Sequence, residues 1–140
     1  ASTITQQVAK NFLLTSDVSL ARKVKEAILA FRIEKSLSKK RILELYLNEI
    51  YLGERSYGIA SASMTYFDKS IMDINISEAS LLAALPKAPS KYNPYKNYAT
   101  VEKRKNWVLK RMFENGLISK KQLKQSLNYK IKKKKKKISY

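Results

Sequence analysis

Apolar residues recur at spacings of three and four along most of this 140-residue chain, and only 3 Gly and 3 Pro interrupt the pattern. This period matches the α-helix, in which residues i, i+3 and i+4 share one face. No segment shows the apolar and polar alternation that indicates a strand. The sequence therefore predicts a mainly α fold, and 44% hydrophobic residues are enough to build a buried core.

Capping residues and helix breakers divide the chain into predicted helices. Two of the expected helix starts carry the capping-box pattern, in which Ser or Thr is followed three residues later by Gln. The expected capping or first residues, in chain order, are Thr3, Asp17, Ser38, Gly58, Ser77, Thr100 and Ser119. Pro86 is expected to end the fifth helix, and Gly116 the sixth, because Pro cannot continue a helix and Gly favours the position after one.

The predicted second helix carries an apolar stripe and a charged cluster. Its apolar face is expected to comprise Leu20, Val24, Ala27, Ile28 and Phe31. Arg22 and Lys23 lie four and three residues before Glu26, so both cations can reach its carboxylate. Such groups are usually surface ion pairs worth a few tenths of a kcal/mol. The functional alternative is a carboxylate among cations that hold an anionic leaving group.

The predicted first helix places two amides beside an ammonium. Lys10 follows Gln6 by four residues and Gln7 by three, so the three side chains share one face. Such a set can bind sugar hydroxyls and a phosphate. An ordinary polar surface stripe has the same spacing, and both interpretations stay open on spacing alone.

The absence of Cys and His removes several kinds of chemistry. Disulfides, zinc sites built on these residues, thiol nucleophiles, His bases and Ser-His-Asp triads are all excluded. Catalysis would have to use carboxylates, Lys, Tyr, hydroxyls or amides. No uncharged stretch approaches the roughly 20 apolar residues of a membrane span. Since the chain begins at Ala1 rather than Met, we expect it to be a piece of a longer protein.

Positive charge is concentrated at the end of the chain. The sequence has 29 Lys or Arg and 11 Asp or Glu, a formal charge of +18, and Lys132 to Lys137 form an unbroken run. Like charges repel one another, so residues 129–140 are expected to be a disordered, solvated tail. The alternative is a patch that binds anionic lipid or nucleic acid.

Several motifs resemble those of the peptidoglycan glycosyltransferases, found in monofunctional transglycosylases and in class A penicillin-binding proteins. The matching runs, in family order, are ASTITQQVAKN at residues 1–11, RKVKEA at 22–27, RILELYLNEIYLG at 41–53, YGI at 57–59, EASLLAALPKAPS at 78–90 and YNP at 92–94. The similarity extends to about Leu123. It implies a mainly α, lysozyme-like glycosyltransferase fold over residues 1–128, present here only in part.

The resemblance also implies an activity and a set of site residues. The family polymerises lipid II by inverting glycosyl transfer onto a growing glycan chain, with release of undecaprenyl pyrophosphate. Glu26 matches its second essential carboxylate, on the donor side, and Lys10 and Lys23 match its phosphate-binding cations. Gln7 matches a contact to the donor, Gln6 supports it, and Arg22 lies with the cations.

Two features depart from the family pattern. The family's general base is a Glu in a motif before the segment that matches residues 1–11, and no residue of this chain takes that role. We therefore expect the chain alone to be inactive or nearly so. Val18 stands where the family often has an Arg that binds phosphate. The expected parent is a bifunctional class A penicillin-binding protein, with a monofunctional transglycosylase as the alternative.

The implied setting is the periplasmic side of the bacterial inner membrane, with the membrane surface and other cell-wall synthesis proteins as partners. No nucleic acid is expected. No resident cofactor is implied, although a divalent cation bridging Glu26 and the pyrophosphate stays open. The sequence shows no cluster of metal ligands. The alternative function is a basic helical module that binds nucleic acid or membrane without catalysis.

Overall fold

The computed structural model describes residues 3–13 and 20–135, apart from the side chains of Asn11, Phe12, Leu20 and Lys87. Within these residues it has seven α-helices and one 3₁₀ turn, with no β-strand beyond an isolated bridge. The predicted mainly α fold is therefore confirmed. No helix in the described ranges is long and apolar enough to cross a membrane.

The chain forms two compact units, and the first is Ala1–Ile50. It contains α1 (Ile4–Leu13), α2 (Leu20–Ser36) and α3 (Lys39–Glu49). Small and branched side chains from all three helices form its core, namely Val8, Ala9, Ala30, Ile33 and Ile42. Ala9 and Ala30 add little bulk, which favours close approach of α1 and α2.

Side-chain caps start α1 and α3 as predicted. The Thr3 hydroxyl accepts a hydrogen bond from the Gln6 N–H at 3.1 Å, and the Gln6 side-chain oxygen accepts one from the Thr3 N–H at 2.9 Å. This is the reciprocal capping box. Ser38 accepts from the Arg41 N–H at 3.1 Å. The predicted cap of α2, Asp17, lies outside the described residues.

The predicted buried face of α2 is wrong. Val24, Ile28 and Phe31 are 51%, 51% and 60% exposed, and Ala27 is exposed too. The buried side instead carries Arg22, Glu26, Ala30 and Ile33. Apolar residues occur at helical spacing on two sides of this helix, so periodicity alone does not select one. Packing against α1 and α3 buries the side that contains the charged pair.

The second unit is Tyr51–Tyr140. Its elements are α4 (Ile59–Phe67), α5 (Ile76–Ala84), a 3₁₀ turn (Leu85–Lys87), α6 (Tyr98–Glu114) and α7 (Lys120–Asn128). The side chains of Tyr66, Leu81, Leu85, Val101 and Leu109 are fully buried in it. Pro86 lies in the 3₁₀ turn directly after α5, as expected of a residue that ends a helix.

Two predicted caps in this unit are displaced, that of α5 by two residues and that of α6 by three. The cap of α5 is Asn75, which forms a capping box with Glu78. The Ser77 hydroxyl, predicted to cap, instead donates to the Ser126 carbonyl oxygen at 3.0 Å and ties α5 to α7. Similarly, Asn97 rather than Thr100 precedes α6, which begins at Tyr98. The capping box of Ser119 and Gln122 is present as predicted.

The segment after α7 packs against the second unit. Ile131 is buried, the Lys134 N–H donates to the Tyr66 carbonyl oxygen at 2.7 Å, and the Tyr95 hydroxyl donates to the Lys134 carbonyl oxygen. The prediction of a disordered tail from residue 129 is therefore wrong for residues 131–134, because an apolar side chain and backbone hydrogen bonds anchor them. Residues 136–140 lie outside the described ranges.

This packing predicts a difference in amide exchange between neighbouring lysines. The Lys134 amide should exchange with solvent more slowly than the Lys135 amide, because only the former donates a backbone hydrogen bond. Hydrogen exchange of the whole chain, followed by NMR, measures both amides together. Equal exchange, at rates typical of an unfolded peptide, would contradict the packed segment.

Candidate active site

The charged cluster of α2 is partly buried. Glu26 is 3% exposed, and its carboxylate lies 4.0 Å from Arg22 Nε and 3.6 Å from Lys23 Nζ. The two cations differ in environment, since the side chain of Arg22 is 7% exposed and that of Lys23 is 58% exposed. The helix thus places a buried guanidinium and a solvent-facing ammonium on either side of one carboxylate.

No residue in the described ranges donates a hydrogen bond to the Glu26 carboxylate. Its two ion-pair distances exceed the 2.7–3.2 Å or so of a hydrogen bond between nitrogen and oxygen. Buried polar groups almost always have a hydrogen-bond partner, and exceptions call for an explanation. Glu78 shows the usual case, since it accepts from Lys69 Nζ and from the Asn75 N–H, each at 3.0 Å. The Glu26 carboxylate therefore retains capacity to bind a ligand group.

The stripe on α1 faces away from the core of the first unit. Val8 and Ala9 are buried, whereas Gln6 and Gln7 are half-buried and Lys10 is exposed. Gln6 uses its side-chain oxygen in the capping box, which leaves its NH₂ group for other contacts. The stripe can offer amide and ammonium donors to a ligand.

Ion pairs join only some of the predicted site residues. Arg22, Lys23 and Glu26 form one ion-pair group. Within the described part of the chain, no hydrogen bond or ion pair links this group to the side chains of Gln7 or Lys10. Val18 lies outside the described residues. In the described ranges, no group of three or more His, Cys, Asp or Glu side chains is arranged to hold a metal ion.

A cavity of about 550 Å³ in the first unit was not singled out by the sequence patterns. Its lining comes from α1, the end of α2 and the start of α3, and comprises Ile4, Thr5, Glu34, Leu37, Lys39, Ile42 and Leu43. Ile4 and Thr5 are distant in sequence from the other lining residues, and no spacing rule joins the two groups. The sequence signal at this cavity is the family resemblance of the runs at residues 1–11 and 41–53, which contain Ile4, Thr5, Ile42 and Leu43.

Comparison with known proteins decides the family. Residues 1–113 match the family model described as Transglycosylase. The chain belongs to the transglycosylase family. A penicillin-binding protein 1A of Neisseria flavescens is 55% identical over 133 residues, and one of Rickettsia felis is 53% identical over 128 residues. These alignments cover 92% and 91% of the chain but 17% and 16% of the two relatives.

A solved structure agrees with this assignment. The crystal structure of penicillin-binding protein 1A from Haemophilus influenzae matches with a TM-score of 0.68 and 47% identity. The match covers 73% of this chain and 15% of that one. The transglycosylase chain therefore has the lysozyme-like, mainly α fold that the resemblance implied. It spans about one sixth of the length of the relatives it matches.

Replacement of Arg22 should lower the stability of the fold more than replacement of Lys23. Arg22→Met leaves a buried carboxylate without its buried cation and should lower the free energy of unfolding by about 3 kcal/mol. Lys23→Met removes an exposed partner and should cost less than about 1 kcal/mol. Urea unfolding followed by circular dichroism compares the two. Equal losses would show that Arg22 and Lys23 have equivalent environments.

Proposed function

We propose that this chain forms the donor side of a peptidoglycan glycosyltransferase site. The reaction is polymerisation of lipid II into glycan strands by inverting transfer, with release of undecaprenyl pyrophosphate. Membership of the transglycosylase family supports this proposal, as do the names of the similar penicillin-binding proteins. The structural observation that supports the proposal is at Glu26. Its carboxylate is buried between two cations and accepts no hydrogen bond from the described residues.

The proposed role of the cations is to stabilise the negative charge that develops on the leaving group. Inversion at the anomeric carbon breaks its bond to the pyrophosphate, which leaves with increasing negative charge. Positively charged groups already in place stabilise that charge without reorganisation. Lys23 is suited to this, because its exposed ammonium is a compact charge on a flexible side chain that can follow a departing phosphate. Lys10, also exposed, adds a second cation from α1.

Glu26 is the proposed catalytic carboxylate on the donor side. Its negative charge keeps Arg22 and Lys23 on one side of α2, and its free acceptor capacity allows contact with the sugar-phosphate of the donor. Gln7 supplies an amide for the same region, and the NH₂ group of Gln6 supports it. The base that removes the proton from the acceptor 4-hydroxyl is not assigned to any residue of this chain.

The substrate sets the proposed location. Lipid II and the growing strand are both carried on undecaprenyl pyrophosphate, so the reaction takes place at the periplasmic surface of the bacterial inner membrane. Other cell-wall synthesis proteins would work beside it. The alternative of a basic nucleic-acid- or membrane-binding module without catalysis is not favoured, since residues 1–113 match the transglycosylase family model.

Removal of the Glu26 charge should abolish transfer. In a chimera in which this chain replaces the matching segment of the Neisseria flavescens relative, Glu26→Gln should lower the rate of lipid II polymerisation at least about 100-fold, the scale of a lost catalytic group. The matched control is Glu44→Gln, which changes an exposed carboxylate paired with Arg41 on α3. Near-normal polymerisation by a folded Glu26→Gln chimera would remove Glu26 from the mechanism.

The two exposed lysines should bind the pyrophosphate of the donor. In the isolated chain, Lys10→Ala and Lys23→Ala should each weaken binding of undecaprenyl pyrophosphate in detergent micelles about tenfold, as expected for one charge-assisted contact. Lys25→Ala is the matched control, because Lys25 is exposed on α2 and lies outside the Glu26 ion pairs. Titration calorimetry gives the affinities. Unchanged binding by the Lys10→Ala, Lys23→Ala double variant would contradict these roles.

A further inference from the structure

The second unit contains a basic cavity, and none of its lining residues is proposed for glycosyl transfer. It has a volume of about 510 Å³ and lies between α6, α7 and the segment that follows α7. Its lining comprises Tyr98, Glu102, Lys105, Leu127, Asn128, Tyr129, Lys130, Ile131 and Lys133. Three of these residues are lysines and one is acidic, so the lining has a net positive charge.

Lys105 is the buried cation of this cavity. The residue is 2% exposed, and no residue in the described part of the chain forms a hydrogen bond or an ion pair with its side chain. Burial lowers the pKa of Lys105, and the nearby Glu102 carboxylate, one turn earlier on α6, opposes that shift. Burial of most of this side chain is costly, because an ammonium loses contact with water there. An anion in the cavity would supply the hydrogen-bond acceptor that Lys105 lacks among the described residues.

Other groups around the cavity are also hydrogen-bond donors. Lys133 Nζ lies 4.1 Å from the centre of the Tyr98 ring and donates to the Pro94 carbonyl oxygen at 3.0 Å, which holds this cation at the cavity wall. Lys130 is exposed at the rim. The Asn128 amide and the Tyr129 hydroxyl can also donate. The site thus combines ammonium, amide and hydroxyl donors, as phosphate recognition requires.

We propose that this cavity binds a phosphate group through Lys105, Lys130 and Lys133. Several ammonium groups suit a phosphate, which can carry more than one negative charge and offers several acceptor oxygens. The volume also leaves space for whatever bears the phosphate, either a lipid headgroup or a second phosphate. The packed segment is part of the site, since Ile131 and the hydrogen bonds of Lys134 hold Lys130 and Lys133 beside α6.

The test compares two lysines of α6 in the full chain. Lys105→Met keeps the side-chain length and removes a buried charge, so the variant should fold at least as stably as the unmodified chain. Lys103→Met makes the same change at an exposed position outside the cavity. Both variants keep the hexalysine run, so non-specific anion binding by that run is the same in each.

Two probes distinguish the sources of the phosphate. One is inorganic pyrophosphate, and the other is vesicles of phosphatidylcholine and phosphatidate in equal amounts. For at least one probe, Lys105→Met should weaken binding about tenfold while Lys103→Met leaves it nearly unchanged. A response to pyrophosphate indicates a free phosphate ligand, and a response to the vesicles alone indicates a lipid headgroup. Equal binding by the two variants with both probes would overturn the proposal.

A second readout follows the ammonium itself. When the probe saturates the cavity, the pKa of Lys105 should rise, because an adjacent anion stabilises the charged form. NMR of the lysine side chains over a pH series measures this change, with Lys103 as the internal reference. No change at Lys105 under saturating probe would show that the anion binds elsewhere, and would also overturn the proposal.

Discussion

Burial of the Arg22–Glu26 pair is the constraint on which the first unit depends. Removing two charges from water costs several kcal/mol for each ion, and a pair separated by 4.0 Å recovers only part of that cost. The same orientation of α2 leaves Val24, Ile28 and Phe31 at least half exposed, so these side chains contribute little hydrophobic stabilisation. Departures of this kind are expected at functional sites, which agrees with the proposed role of Glu26.

The hydrogen-bond partners of three buried charged residues distinguish a structural group from candidate ligand-binding groups. Glu78 caps α5 and pairs with Lys69, whose pKa it raises through their hydrogen bond, so its role is structural. Glu26 has ion pairs longer than hydrogen bonds, and Lys105 has no hydrogen bond or ion pair among the described residues. The last two lie in different units and have opposite charges. Each therefore suggests a different ligand contact, one in glycosyl transfer and one in phosphate binding.

Local sequence signals located several helix starts, and failed where a neighbouring element competed for the same side chain. The boxes at Thr3 and Ser119 involve residues only three positions apart, so the pattern contains every partner. Ser77 has the same chemistry, but its hydroxyl bonds to Ser126 of α7, which no local rule anticipates. The lysine-rich segment shows the same limit. Its charge favoured disorder, whereas Ile131 and the carbonyl oxygen of Tyr66 anchor it.

The sequence by itself determined the helical class, the family resemblance and the identity of the candidate residues on α1 and α2, because these depend on short spacings and on side-chain chemistry. Tertiary structure decided which side of α2 is buried, and hence that Glu26 is enclosed while Lys23 faces solvent. It also created the cavity around Lys105 from residues as distant as Tyr98 and Lys133. Burial and long-range contacts depend on how helices pack, and packing reflects the whole core rather than any one segment.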